Sequence, residues 1–206
     1  MNKNSDNIFW INHNDKNVLA TKTQNNYEIC KPYQNKLAAS IINGLEILPI
    51  TQNSKILMLE NSFTEVVTHI SNMIGENGKC FILTESKSNE VNLIERLNKT
   101  SNISVVSNSL TEPENFSLST HVDVLYIDII DTNLIENILK ISELCLNNSG
   151  YLLLILPTDK ISILNDGSYP NENIFRKKLK NNHDIIQEIN LTDFFKNSTL
   201  FLCKKK

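Results

Sequence analysis

The stretch ILMLENSFTEVVTHISNMIGENG, Ile56 to Gly78, reads as a buried strand, a turn, a helix and a second turn. An apolar run followed by apolar residues at helical spacing opens a βαβ unit, the arrangement that sets a nucleotide or cofactor against its strand-to-helix turn. Such turns normally use glycine, which permits positive φ and lets a ligand approach the backbone with no Cβ in the way. The turn from Glu60 to Glu65 contains none. Glu60 and Phe63 are expected to project side chains where the bound group would lie.

Outward from this unit, apolar runs alternate with helical patterns. Strands are predicted at Lys55–Leu59, Cys80–Thr84, Ile103–Ser107, Val122–Asp128 and Tyr151–Leu156, and helices at Phe63–Ile74, Ser88–Leu97 and Asn133–Leu146. That alternation predicts an α/β fold with a doubly wound, Rossmann-like parallel sheet. The tail adds a helix near Glu172–Asn181, a strand near Ile185–Leu191 and a last strand, Thr199–Cys203. A closing antiparallel hairpin of this kind is how the S-adenosylmethionine-dependent methyltransferase sheet ends, although fold alone does not carry function. Upstream, PYQNKLAASIINGLEIL predicts a helix from about Gln34 to Asn43, with Gly44 near its end. Before it, Phe9–Ile11 and Val18–Thr21 form a hairpin-like β-element. The expected division is a small N-terminal β-domain, residues 1–31, and an α/β domain, residues 32–206.

The chain of 206 residues carries a net charge of −3, and its only arginines are Arg96 and Arg176. It therefore lacks most of the bidentate phosphate clamps of a free-standing RNA binder. FRKKLK and the terminal KKK read as a solvated face, with RNA-phosphate contact as the alternative. The cysteines, Cys30, Cys80, Cys145 and Cys203, stand far apart and mostly in apolar runs, which predicts reduced core residues with neither a zinc-ligand spacing nor a disulfide framework. No apolar run approaches membrane-spanning length, and MNKNSDNIFW has no signal-peptide core, so a cytoplasmic location is expected and no membrane partner.

At PYQNKLAASIINGLEIL the sequence resembles fibrillarin in its archaeal form, the guide-RNA-directed ribose 2'-O-methyltransferase of box C/D ribonucleoproteins. Against the family's W-N-P-[YF]-R-S-K-L-A-A-x-I-x-x-G, the matching residues are Pro32, Tyr33, Lys36, Leu37, Ala38, Ala39, Ile42 and Gly44. Phe9-Trp10 and LATK, Leu19 to Lys22, match its N-terminal β-domain. THISNMIGENG resembles S-H-V-S-D-I-V-G-x-x-G, and HVDVLYID resembles V-D-V-I-x-x-D. His69 matches a family position read as structural.

The resemblance implies S-adenosylmethionine as cofactor and a Lys-Asp-Lys-His group for methyl transfer. Lys36 and Asp128 stand at the first two of those positions; the second lysine falls on Pro157 and the histidine on Ser198. The family's V-L-Y-L-G-A-A-S-G-T-T becomes ILMLENSFTEV, which puts its glycines on Glu60 and Thr64. Its ribose-binding glutamate falls on Thr84, with Glu85 one position late, and the aspartate of its E-D-A motif falls on Ser109. Glu60 as a replacement catalytic carboxylate lacks a second acid partner. The expected function is a catalytically inactive paralogue in an RNA-modifying particle, binding no cofactor; the alternative is an active RNA ribose 2'-O-methyltransferase that uses S-adenosylmethionine in a rebuilt pocket. Family resemblance implies as partners a Nop-family scaffold protein and box C/D guide RNA, or an intact fibrillarin paralogue.

Overall fold

The computed structural model describes residues 7–23, 25–60, 65–84, 87–97, 100–107, 109–110, 112–113, 120–128, 134–157 and 172–206. The N-terminal element is a three-stranded antiparallel sheet of β1 (Ile8–His13), β2 (Lys16–Lys22) and β3 (Tyr27–Ile29), in which β2 is central. The third strand, absent from the hairpin expected, pairs Ala20 with Ile29 and Lys22 with Tyr27.

Helix α1 runs Lys36–Ile42, two residues later than expected at its start. Asn35 takes an extended conformation and its side chain accepts a hydrogen bond from the Ala38 amide, capping the helix there. At the other end Gly44, at φ +96°, lets the Leu45 amide reach the Ser40 carbonyl (2.9 Å) and its own amide reach Ile41 (3.2 Å). This is the Schellman pairing, and its positive φ explains the glycine.

The chain then alternates: β4 (Lys55–Glu60), α2 (Val66–Ile74), β5 (Lys79–Thr84), α3 (Lys87–Leu97), β6 (Ile103–Ser107), β7 (Val122–Asp128), α4 (Ile135–Cys145), β8 (Leu146–Pro157), α5 (Glu172–Asn182), β9 (His183–Asn190) and β10 (Ser198–Lys205). The seven strands lie in the order β6-β5-β4-β7-β8-β10-β9. Neighbours are parallel from β6 to β8, whereas β10 is antiparallel to both β8 and β9, the hairpin the tail predicted. Strand β8 starts five residues before the predicted Tyr151 because Leu146 already pairs with Val122. A Cβ at Gly150 would stand 2.8 Å from Leu146 Cγ, so the strand's irregular opening needs glycine.

Strand alternation sorts the apolar residues into two layers. Ile56, Met58, Val124, Tyr126, Leu153, Ile155, Leu200 and Leu202 pack with α1, α2 and residues Ile8 and Leu19 of the N-terminal sheet. Leu57, Leu59, Leu125, Ile127, Leu152, Leu154, Phe201 and Cys203 pack with α4 and Leu179 of α5 on the opposite face. All four cysteines are buried and none is in a disulfide. Burial pushes the Cys30 thiol up to about 12 and the Cys145 thiol to about 11, and raises Cys203 as well, which leaves these three inert.

The N-terminal sheet is joined to α2 by polar contacts as well. His69 Nδ1 lies 2.8 Å from Thr21 Oγ1 and 3.5 Å from Cys30 Sγ. Asn72 donates to Thr21 Oγ1 (3.0 Å) and to Glu28 (2.8 Å). Burial holds the His69 imidazole below its ordinary pKa, although Glu28 and Glu65 pull the other way, and burial does the same to His183, which shares a 2.8 Å hydrogen bond with Ser142. Both histidines are therefore neutral in the folded protein and take up protons more readily once unfolded. Stability is fully present above the unfolded value near 6.5 and is lost as the pH falls below it. The urea midpoint is expected to drop between about pH 7 and pH 5, and His69→Gln to flatten part of that slope; an unchanged slope in the variant would remove His69 from the account.

Candidate functional site

The carboxyl ends of β4 and β7 adjoin where the strand order reverses, the place where open α/β sheets bind ligands. Asp128 is the last residue of β7 and pairs in register with Glu60 on one side and Ile155 on the other. By alternation it faces the same layer as Val124 and Tyr126, the layer covered by α1. Lys36, the first residue of α1, reaches down to it: Nζ donates to Asp128 Oδ1 at 2.6 Å. The lysine side chain is 22% exposed and the aspartate 10%.

Pro157 ends β8 and Ser198 begins β10, and the two are paired across the sheet. Each shares the parity of residues in that same layer, Leu153 and Ile155 for Pro157, Leu200 and Leu202 for Ser198. Thr84, the last residue of β5, has the parity of Cys80 and Ile82 and is buried at 8% exposure. Lys36, Asp128, Thr84, Pro157 and Ser198 therefore stand at one end and on one side of the sheet. Ser109, half-buried, follows β6 at that same end. Strand β4 runs one residue past its predicted end, so Glu60 is extended backbone paired with Asp128. Asn61, Ser62, Phe63, Thr64 and Glu85 lie outside the described residues; helix α2 begins at Val66 behind Glu65.

Burial raises the Asp128 carboxyl above the usual carboxylate range, and the charge and hydrogen bond of Lys36 oppose that rise. A carboxylate made more basic by burial and oriented by a lysine is suited to receive a proton from a hydroxyl. Among the described residues, Pro157 and Ser198 cannot share that work. Proline has no side-chain donor and no backbone N–H, and a serine hydroxyl does not titrate in the range where histidine does. For S-adenosylmethionine the described positions fit poorly. Thr84 offers one hydroxyl where a carboxylate would accept from both ribose hydroxyls, and Ser109 brings no charge.

Two further residues border the site that the sequence reading did not single out. Phe194 and Phe195 lie in the tight turn between β9 and β10, where both amides donate to the Leu191 carbonyl, at 2.9 and 2.7 Å. The Phe195 ring centre is 5.5 Å from Lys36 Nζ, a cation–π distance, and Phe194 meets Tyr33 edge-on at 5.1 Å. Two aromatics in the polar segment TDFFKNS were the available signal.

Elsewhere the candidate groups have structural occupations. A polar cleft of about 730 Å³ lies between the N-terminal sheet and α2. Several of its amides are engaged: Asn102 Nδ2 donates to the Ser71 and Gly75 carbonyls, and Asn7 Nδ2 to those of Asn72 and Met73. Lys205 donates to the Glu143 and Leu146 carbonyls at the end of α4, and Lys178 pairs with Glu136 at 2.6 Å. Among the described residues no group of three His, Cys, Asp or Glu side chains could hold a metal ion, and no helix is long and apolar enough to cross a membrane.

The fibrillarin family model matches residues 2–206. The fibrillarin-like rRNA/tRNA 2'-O-methyltransferase of Pyrococcus abyssi is 27% identical over 183 residues, which is 87% of this chain and 79% of that protein. The crystal structure of Aeropyrum pernix fibrillarin in complex with natively bound S-adenosyl-L-methionine superposes with a TM-score of 0.84 at 19% identity, covering 97% of this chain and 95% of that one. A fibrillarin/Nop5p complex gives 0.80 at 20% identity, covering 97% and 98%.

The ion pair makes an asymmetric prediction. Removing the lysine strands a buried carboxylate, whereas removing the carboxylate's charge leaves a lysine with a path to solvent. At pH 7 Lys36→Met is expected to cost about 2–4 kcal/mol of stability and Asp128→Asn under about 1 kcal/mol. In Lys36→Met the Asp128 pKa rises further, so the loss shrinks as the pH falls through it. Urea titrations at pH 7 and pH 5 read both effects; equal losses in the two variants would contradict the burial argument.

Proposed function

This chain belongs to the fibrillarin family, and from that premise we propose that it is a catalytically inactive paralogue, a non-catalytic component or regulator of a box C/D-type RNA-modifying ribonucleoprotein. The observation that carries the reading is the paired ends of β8 and β10, where Pro157 and Ser198 stand in register beside a surviving Lys36–Asp128 pair. A ribose 2'-hydroxyl is a poor nucleophile, and its transfer chemistry needs positioning and proton removal together. Losing two members of a unit that acts jointly leaves little beyond proximity. With Thr84 and Ser109 in place of carboxylates, and Glu60 and Thr64 in place of glycines, no cofactor is proposed. Residues 1–31 serve as a small β-domain docked on an α/β domain of residues 32–206, and the protein works in the cytoplasm.

The proposed partners are a Nop-family scaffold protein and box C/D guide RNA, or an intact fibrillarin paralogue. The relative solved with Nop5p supports the first, and the arginine-poor composition supports dependence on a scaffold rather than tight RNA binding alone. Recovery of neither protein partner in native co-purification would remove the ribonucleoprotein role.

The second reading, an active S-adenosylmethionine-dependent RNA ribose 2'-O-methyltransferase with a rebuilt pocket, is favoured by one observation: Lys36 and Asp128 are joined at 2.6 Å at the switch point. Calorimetry separates the two readings. The inactive paralogue is expected to show no binding of S-adenosylmethionine tighter than roughly 100 μM, about 5.5 kcal/mol, and Glu60→Gly alone is expected to create no methylation of a guided RNA. Tight binding, or activity in that single variant, would transfer the conclusion to the enzyme.

A further inference from the structure

Tyr33 is 69% exposed, the most open of the large hydrophobic residues among those described. It is nevertheless held in place. Pro32 precedes it, the Gln34 amide closes its turn on the Lys31 carbonyl at 2.9 Å, and Asn35 caps the helix that follows. Its ring is braced by Phe194, with centroids 5.1 Å apart and planes at 66°. Phe194 is itself pinned by the Leu191 turn. A rigid aromatic ring with most of its surface in water gains little from folding, so packing does not account for it.

Its position does suggest a use. Tyr33 stands three residues before Lys36, at most about 11 Å along an extended chain, and Phe195, beside its brace, borders the Lys36 ammonium at 5.5 Å. An aromatic border thus leads from solvent to the Lys36–Asp128 pair.

We infer that Tyr33, braced by Phe194, is a stacking shelf for an unpaired RNA nucleobase and holds that nucleotide beside Lys36 and Asp128. The inference rests on the RNA reading above and adds to it a contact that needs no catalysis. Stacking on a fixed ring tolerates any base, because every base has a π-face. The surrounding charges agree: Lys31 is paired with Glu65 at 2.7 Å, and exposed Lys196 shares its turn with exposed Asp193. The surface offers more to a base than to a phosphate.

The test uses the full chain and a single-stranded hexauridylate at low salt, with one 5-iodouridine for photo-cross-linking. Tyr33→Ala is expected to weaken binding roughly 5- to 150-fold, the size of one base–aromatic stack, while Tyr33→Phe stays within about twofold of the parent. An oligomer with abasic sites should lose the difference between parent and Tyr33→Ala. In a Trp10→Phe background, Tyr33→Trp supplies a lone indole whose fluorescence the RNA should quench, and the iodouridine should cross-link to residue 33. Equal RNA affinity of parent and Tyr33→Ala, with cross-links elsewhere, overturns the shelf and leaves the RNA reading standing. No binding by the parent overturns the shelf alone, since the ribonucleoprotein role stands or falls on co-purification with a protein partner. Loss of scaffold-protein recovery in Tyr33→Ala with unchanged RNA affinity makes the surface a protein interface and also overturns the shelf.

Discussion

Strands β4, β7 and β8 are buried on both faces, and a strand so placed has no freedom of register. A slip of one residue would exchange the layer containing Met58, Tyr126 and Ile155 for the one containing Leu59, Ile127 and Leu154. Because the two layers are covered by different helices, the whole sheet is locked by that alternation. Asp128 inherits its direction from it, as do Thr84, Pro157 and Ser198. The polar end of the sheet is thus organised by its apolar middle, and it can lose chemistry residue by residue without disturbing the ladder that presents them.

The Lys36–Asp128 pair follows from the same constraint. Alternation turns Asp128 into the α1 layer, where burial makes its charge costly, and the capped start of α1 supplies the cation that offsets the cost. With Asp128 buried there, Lys36 has a physical reason to remain, whether or not a methyl group is transferred. Pro157 and Ser198 carry no such dependence. Paired across the sheet, proline and serine hold no charge that the other must offset. Positions at one end of the sheet therefore have different energetic footings.

The N-terminal sheet is also more than an appendage. Ile8, Leu19 and Cys30 belong to the same apolar layer as α1 and α2, and Thr21, His69 and Asn72 tie the two parts through buried polar contacts. A buried neutral histidine within hydrogen-bonding distance of a threonine hydroxyl is a structural use of the residue.

Periodicity in the chain determined the order and kind of nearly every element, since hydrophobic spacing is a local property: Ile103–Ser107 and Val122–Asp128 appear with the bounds the pattern predicts. The motifs around Lys36 likewise pointed to the family. Element ends were less legible. Asn35 outweighed the apolar spacing as the start of α1, and pairing with Val122, not composition, set the start of β8. What the tertiary structure alone decided was which residues meet. Lys36 and Asp128 are 92 positions apart, and their contact depends on the crossover that lays β7 beside β4 and on the layer α1 covers. The same holds for Tyr33 and Phe194, whose edge-on contact no local pattern encodes, because proximity across a sheet is set by strand order and side-chain parity rather than by neighbours in the chain.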